Sequence, residues 1–179
     1  MTRLLVELAV VAAAYLAGLP ALTLVHELGH AIAAVALVGG RATVVQGPAP
    51  ARLQLSVWRL DLRLHGPVGP YRVWVGWAFW GPHPQRWRHA IATAAGPAAS
   101  AASALLCGFG TIATGGAAHL FLLVLTFAAL SQTLSSGMPC RYGRRFGEFG
   151  GEASDGLRIR RLIEGRPEPA PLARTARPA

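Results

Sequence analysis

The chain has 179 residues, enough for one domain and too few for a separate soluble module beside a membrane core. With 53% apolar residues, 14% charged ones and the apolar residues gathered in long blocks, its composition excludes an ordinary soluble protein and favours a membrane protein. The net charge of +9 comes from 17 Arg and no Lys, and because the Arg residues sit between the apolar blocks, the charge reads as membrane topology and not as nucleic-acid binding.

The first block opens after a single Arg, and no small-residue cleavage site precedes the stretch "VHELGH", so this segment is expected to be retained. From Leu4 to Val38 the ionisable groups, Tyr15 aside, are Glu7, His26, Glu27 and His30. One unbroken helix over this run would be about 52 Å long, more than the roughly 30 Å hydrocarbon core requires. Two spans divided at Gly18-Leu19-Pro20 would leave the first too short, so the expectation is one long helix over 3–38, kinked near Pro20. Gly39-Gly40 ends it.

Residues 41–80 change period. Leu53, Leu55 and Val57 alternate with polar residues, and after a slip at Trp58-Arg59 the alternation resumes through Leu60, Leu62 and Leu64, which suggests a β-bulge. Tyr71, Val73, Val75, Trp77 and Phe79 form a second alternating face, with Gly66-Pro67 and Gly69-Pro70 as the turn between the runs. The reading is a small antiparallel sheet or hairpin. All five Trp residues fall between 58 and 87, which suits the headgroup region of a membrane.

Residues 89–110 and 117–138 are each about the length that crosses a bilayer and carry little charge. Gly96, Ser100 and Ala104 place small residues at four-residue spacing in the first of them, a close-packing signal. Residues 41–88 hold seven Arg and the stretch after Met138 nine, whereas the turn at 111–116 has none. The positive-inside rule therefore puts the Arg-bearing segments in the cytoplasm and His26, Glu27 and His30 in the cytoplasmic half of the first helix. Residues 154–164 read as a short interfacial helix with Leu157, Ile159, Leu162 and Ile163 apolar and Arg158, Arg160 and Arg161 basic. The Pro-, Ala- and Arg-rich residues 166–179 read as a disordered tail beyond a single domain at 1–165. Cys107 and Cys140 have no Cys or His at zinc-ribbon spacing and read as free thiols. The expected fold is thus a mainly α membrane protein: about three transmembrane helices, with a small membrane-associated antiparallel β-sheet inserted after the first.

Chemistry concentrates in that first helix. His26 and His30 lie one turn apart on one face, so both imidazoles can reach one metal ion, and Glu27 can reach a metal-bound water. This is the HExxH zinc pattern, with Zn2+ as cofactor and Glu27 as general base. A glutamate at the centre of a membrane helix costs on the order of 3 kcal/mol on insertion scales, which ties intramembrane ionisable groups to function. A zinc hydrolase takes a third protein ligand and keeps one position open. Ala33 and Ala36 exclude an HExxHxxGxxH continuation, and the remaining carboxylates are Glu7, Asp61, Glu148, Glu152, Asp155, Glu164 and Glu168. Lone histidines are usually structural or solvent-facing, and His65, His83, His89 and His119 are read as non-ligands.

The succession "HELGHAIAA", "AAGPAASAA" and "SDGLRIRRLI" resembles the site-2 protease family of intramembrane zinc metalloproteases, the M50 peptidases, over about residues 20–165. The resemblance implies that His26, His30 and Asp155 bind zinc, that Glu27 is the catalytic base, and that the partners are the lipid bilayer and a membrane-protein substrate. Gly96 and Ser100 match the family's middle helix-packing pattern. Gly147 and Gly150 stand where the family often has Asn and Pro before its Asp-Gly, so the usual Asn contact to substrate is lacking, and Glu148 and Glu152 stay open as ligands. Two other classes compete: a non-proteolytic membrane zinc-binding or assembly protein that retains the metal site, and an ion permease. A permease predicts ionisable residues on several spans, and only the first helix and His119 offer them.

Overall fold

A helix satisfies every backbone group within its own segment, which is what an apolar stretch needs away from water, and residues 2–37 are helical from end to end. In the computed structural model, which describes residues 2–47, 51–65, 76–81, 85–143 and 151–166, this stretch comprises α1 (Thr2–Ala13), a π-helical turn (Ala14–Gly18) and α2 (Leu19–Leu37). The irregularity expected near Pro20 takes the form of that π turn. Proline has no N–H for the carbonyl four residues earlier, and just ahead of it the Leu19 N–H reaches back five residues to Ala14. At the far end the Gly39 N–H bonds to the Ala34 carbonyl at 3.0 Å, and Gly39 and Gly40 take φ of 86° and 77°.

The insertion is a four-stranded sheet of β1 (Ala42–Gln46), β2 (Ala51–Val57), β3 (Leu60–His65) and β4 (Gly76–Trp80), in the order β2-β3-β1-β4. It departs from the expected antiparallel sheet. β1 pairs with β4 antiparallel but with β3 parallel, Ala42 facing Leu60 and Gln46 facing Leu64. The inner strands are β3 and β1, and β1 has buried apolar residues and a short sequence with no clear alternation. Trp58-Arg59 is likewise no bulge but a tight turn: Val57 pairs with Leu60, and Trp58 takes φ of 53°. The face of β4 that meets the helix is also the opposite of the one the alternation picked out. Ala78 and Trp80 join Ala42, Val44, Leu60 and Leu62 against Ala31 and Val35 of α2, while Phe79 stays 41% exposed on the other side. Tyr71, Val73, Val75 and the Gly-Pro turn lie outside the described residues, as does the tail from 167 onward.

α3 (Arg86–Ala113) and α4 (Gly116–Gly137) complete three helices long and apolar enough to cross a membrane. Leu105, Leu106, Phe109 and Ile112 of α3 and Phe127 and Leu134 of α4 stay exposed, an apolar surface unusual on a soluble monomer. α3 packs against both α2 and α4. Its contact with α2 is close because Gly29 has no side chain: a Cβ there would meet the Ala95 carbonyl oxygen at 2.6 Å and the Ala99 Cβ at 2.8 Å.

After α4 the chain turns back through residues 138–143 and 151–154. Arg141 and Ala153 form an antiparallel bridge, and the Tyr142 N–H donates to the Glu152 carbonyl at 2.9 Å. Ser154 closes the turn. Its buried hydroxyl donates to the Met138 carbonyl, accepts from the Cys140 N–H at 3.1 Å, and caps the short helix α5 (Asp155–Ile163) by accepting from the Leu157 N–H at 3.2 Å. α5 then packs on α3 and α4. Gly156 sits so close to the end of α4 that a Cβ would collide with the Gly137 carbonyl.

Gly29→Leu is expected to destabilise the folded chain by roughly 1–3 kcal/mol through overpacking, and Ser154→Ala by about 1 kcal/mol through loss of the helix cap. Thermal unfolding in detergent micelles measures both; a Gly29→Leu chain as stable as the parent would contradict the close α2–α3 contact.

Candidate metal centre

The four-residue spacing of His26 and His30 does on α2 what a helix requires, bringing both imidazoles to one face, and that face is buried: the two residues are 5% and 4% exposed. Their Nε2 atoms lie 3.2 Å apart. Asp155, the first residue of α5, completes the triangle from 129 positions away, its Oδ2 at 3.2 Å from His26 Nε2 and 3.4 Å from His30 Nε2. Among the described residues these three side chains form the group able to hold a metal ion.

The other nitrogen of each ring is held on α3. His30 Nδ1 is 3.0 Å from the Ala92 carbonyl oxygen, which only accepts, so Nδ1 carries a proton and Nε2 faces the triangle. His26 Nδ1 is 2.8 Å from the Ser100 hydroxyl, the residue four beyond Gly96 on α3. Gly96 makes room for the second imidazole, since a Cβ at this position would collide with His30. Three electron-rich atoms at such separations repel one another unless a proton or a cation lies between them. Metal–ligand bonds of about 2.0–2.1 Å at tetrahedral angles place ligand atoms about 3.3 Å apart. The observed edges of 3.2, 3.2 and 3.4 Å fit that spacing. Two imidazoles, each with its second nitrogen tied down, and one carboxylate make a donor set that suits zinc.

Burial acts to raise the Asp155 carboxyl, but hydrogen bonds with His26 and His30 and their charge outweigh it and hold the group well below the usual carboxylate range, so it is ionised. Glu27, 8% exposed, lies beneath β4: a Cβ at Gly76 would meet Glu27 Cγ at 2.7 Å and Oε1 at 3.1 Å, and Thr23 Cγ2 at 2.9 Å. The strand thereby passes over the glutamate with only backbone between them. Trp80, at the end of β4, stacks near His30 with ring centroids 6.0 Å apart and donates its indole N–H to His89 Nδ1 at 3.2 Å.

The remaining carboxylates are elsewhere. Glu7 pairs with Arg3 at 2.9 Å, Glu164 with Arg160 at 2.8 Å, and Glu152 lies 3.8 Å from Arg158, outside the cluster. Asp61 sits on the sheet, where the Arg41 guanidinium and the Ser56 hydroxyl hold its carboxyl down to about 2. Glu148 and Glu168 lie outside the described residues, as do His83, Gly147 and Gly150. His119 Nδ1 is 3.0 Å from the Thr111 carbonyl, at the turn between α3 and α4. Sequence reasoning missed the Ala92 carbonyl, Gly76 and Ser154. A serine immediately before a charged first turn is a helix-cap signal and marks Ser154; nothing in the sequence marks a backbone carbonyl or a glycine opposite a glutamate.

Comparison with protein-family models, with curated proteins and with solved structures found no match.

Metal analysis of the purified chain is expected to find about one zinc per molecule, strongly reduced in Asp155→Ala and bound roughly 10–100-fold more weakly in Ser100→Ala, which removes the partner of His26 Nδ1. Undiminished zinc in Asp155→Ala would remove that residue from the ligand set.

Proposed function

We propose that this chain is a zinc metalloendopeptidase of the site-2 protease type, crossing a cell membrane several times and hydrolysing peptide bonds of membrane-embedded or membrane-anchored proteins at the cytoplasmic side. The observation that carries the reading is the buried convergence of His26 Nε2, His30 Nε2 and Asp155 Oδ2 beside Glu27, on a helix long and apolar enough to cross a membrane. Zinc bound there supplies Lewis acidity and lowers the pKa of water toward neutrality. The residues of the chain do the rest. His26, His30 and Asp155 hold the ion, Ser100 and the Ala92 carbonyl orient the imidazoles, and Glu27 takes a proton from the attacking water and hands it to the leaving amine.

A transmembrane substrate has its peptide groups bound up in its own helix, so it must unwind before attack. β4 suits that step. Among the described residues it is a terminal strand of the sheet, it runs over Glu27, and Gly76 leaves its backbone unshielded by a side chain at the point of closest approach. An extended substrate segment added to this edge gains main-chain hydrogen bonds in exchange for those lost on unwinding. The active site's cytoplasmic placement rests on the Arg-bearing segments, which share one end of the molecule with the sheet and α5: the Arg88 guanidinium, at the start of α3, bonds the Leu37 carbonyl at the end of α2 at 2.9 Å.

Glu27→Gln is expected to retain zinc and to lose cleavage of a single-span, membrane-anchored reporter by about 10²–10⁴-fold, the scale of a general base. Cleavage that persists in the zinc-loaded mutant rules out this mechanism. A parent chain that holds zinc and cleaves nothing supports the alternative, a membrane zinc-binding or assembly protein.

A further inference from the structure

The His30 imidazole is held by more than its two nitrogens. β4 follows α2 closely: at its start Gly76 passes over Thr23 and Glu27, and at its end Trp80 packs against Ala31, Val35 and Ala42. There the indole of Trp80 stacks beside the His30 ring, with centroids 6.0 Å apart and planes inclined by 30°, inside the range over which aromatic rings attract one another. The same indole is 3.2 Å from His89 Nδ1. An indole N–H can only donate, so His89 Nδ1 is the acceptor.

His89 opens a row of residues on α3. It stands three positions before Ala92, whose carbonyl meets His30 Nδ1 at 3.0 Å, seven before Gly96, which leaves space for the His30 ring, and eleven before Ser100, which meets His26 Nδ1 at 2.8 Å. Steps of three, four and four residues keep all of them on one helical face. That face holds both imidazoles, and the sheet reaches it at His89. β4 is paired with β1, Trp80 facing Ala42 and Gly76 facing Gln46. The Trp80–His89 bond gives the strand a second anchor, from the sheet to α3, at the end that lies beside His30.

We infer that Trp80 and His89 form a brace that holds the His30 imidazole and β4 in one register, which makes Trp80 a positioning residue for the cluster and for the strand that receives substrate. The part that concerns substrate rests on the protease reading; the part that concerns His30 does not. The indole touches His30 by a ring contact and is itself aimed by His89, so the brace acts on the cluster through His30.

The test uses the full chain in detergent micelles with three readouts: zinc affinity, the visible absorption of Co2+ bound in place of zinc, which reports the geometry of the donor atoms, and kcat on the membrane-anchored reporter at saturating zinc. Trp80→Phe keeps a ring but removes the N–H, and His89→Leu removes the acceptor. Each is expected to weaken zinc binding by about 3–10-fold, to shift the Co2+ bands, and to lower kcat by about tenfold. Because both act through one bond, the two substitutions together lower zinc affinity and kcat no further than either alone. His89→Gln, which keeps an acceptor oxygen, recovers most of the loss, and its comparison with His89→Leu decides the matter should Trp80→Phe fail to fold. Losses that multiply in the double variant, or parent-level zinc affinity and Co2+ bands in both single variants, overturn the brace and leave the protease reading intact. Coupled losses of zinc affinity in a chain whose parent cleaves nothing support the brace at His30 and overturn the protease reading.

Discussion

Three electron-rich atoms within 3.4 Å of one another, in a place water scarcely reaches, are the constraint around which this chain is built. Two of them come from one turn of a helix and cost the chain nothing in topology. The third arrives from 129 residues away, and its arrival explains most of the chain beyond α4: the reversal at residues 138–143, the short bridge between Arg141 and Ala153, the serine that ties both strands to the new helix, and a helix of nine residues whose first is Asp155. Each of these elements is too small to be stable alone. They are held by backbone hydrogen bonds to one another and by packing on α3 and α4. The arrangement concentrates order at the carboxylate.

The same constraint accounts for where glycine is used. Gly29 lets α3 approach α2, Gly96 leaves space for the His30 ring, Gly76 lets β4 pass over Glu27, and Gly156 lets α5 begin against the end of α4. In each case the space a side chain would take is occupied by the site or by the backbone that carries it. The small-residue spacing on α3 is therefore more than a device for packing helices. Its Gly96 and Ser100 meet the two histidines of the cluster directly, one by leaving space and the other by a hydrogen bond of 2.8 Å.

How much of this the sequence displayed depends on the range of the interactions. His26, Glu27 and His30 were visible because their relation is local, fixed by 3.6 residues per turn. The three long apolar helices were visible for a similar reason, since length and composition are local properties. Asp155 was singled out only by resemblance: periodicity sets it apart from Glu148 or Glu152 in no way, and the choice is made by a turn whose key contacts run through Ser154. The sheet shows the limit most plainly. Alternation located β2 and β3 but read their turn as a bulge and could not say that β1, a five-residue strand with no distinctive pattern, lies between β3 and β4 and pairs in parallel with β3. Strand order depends on partners that a one-dimensional pattern does not contain. The face of β4 was misassigned for the same reason, because Trp77 and Phe79 advertise apolar area whereas the face turned toward α2 is made of Gly76, Ala78 and Trp80.

In the proposed membrane setting, the division of the ligands between α2 and α5 has a physical consequence. The residues that must enter the apolar phase with the first helix are two imidazoles and a glutamate, all of which can be neutral there. The carboxylate that completes the cluster is carried by a segment outside the three apolar helices, amphipathic and rich in Arg, which packs on α3 and α4. A buried anion costs several kcal/mol unless it is paired, and the half-buried Asp155 has His26 and His30 as its partners. Separating Asp155 from His26 by 129 residues thus keeps the charged group off the apolar helices, and makes the cluster a property of the finished fold and of no single helix.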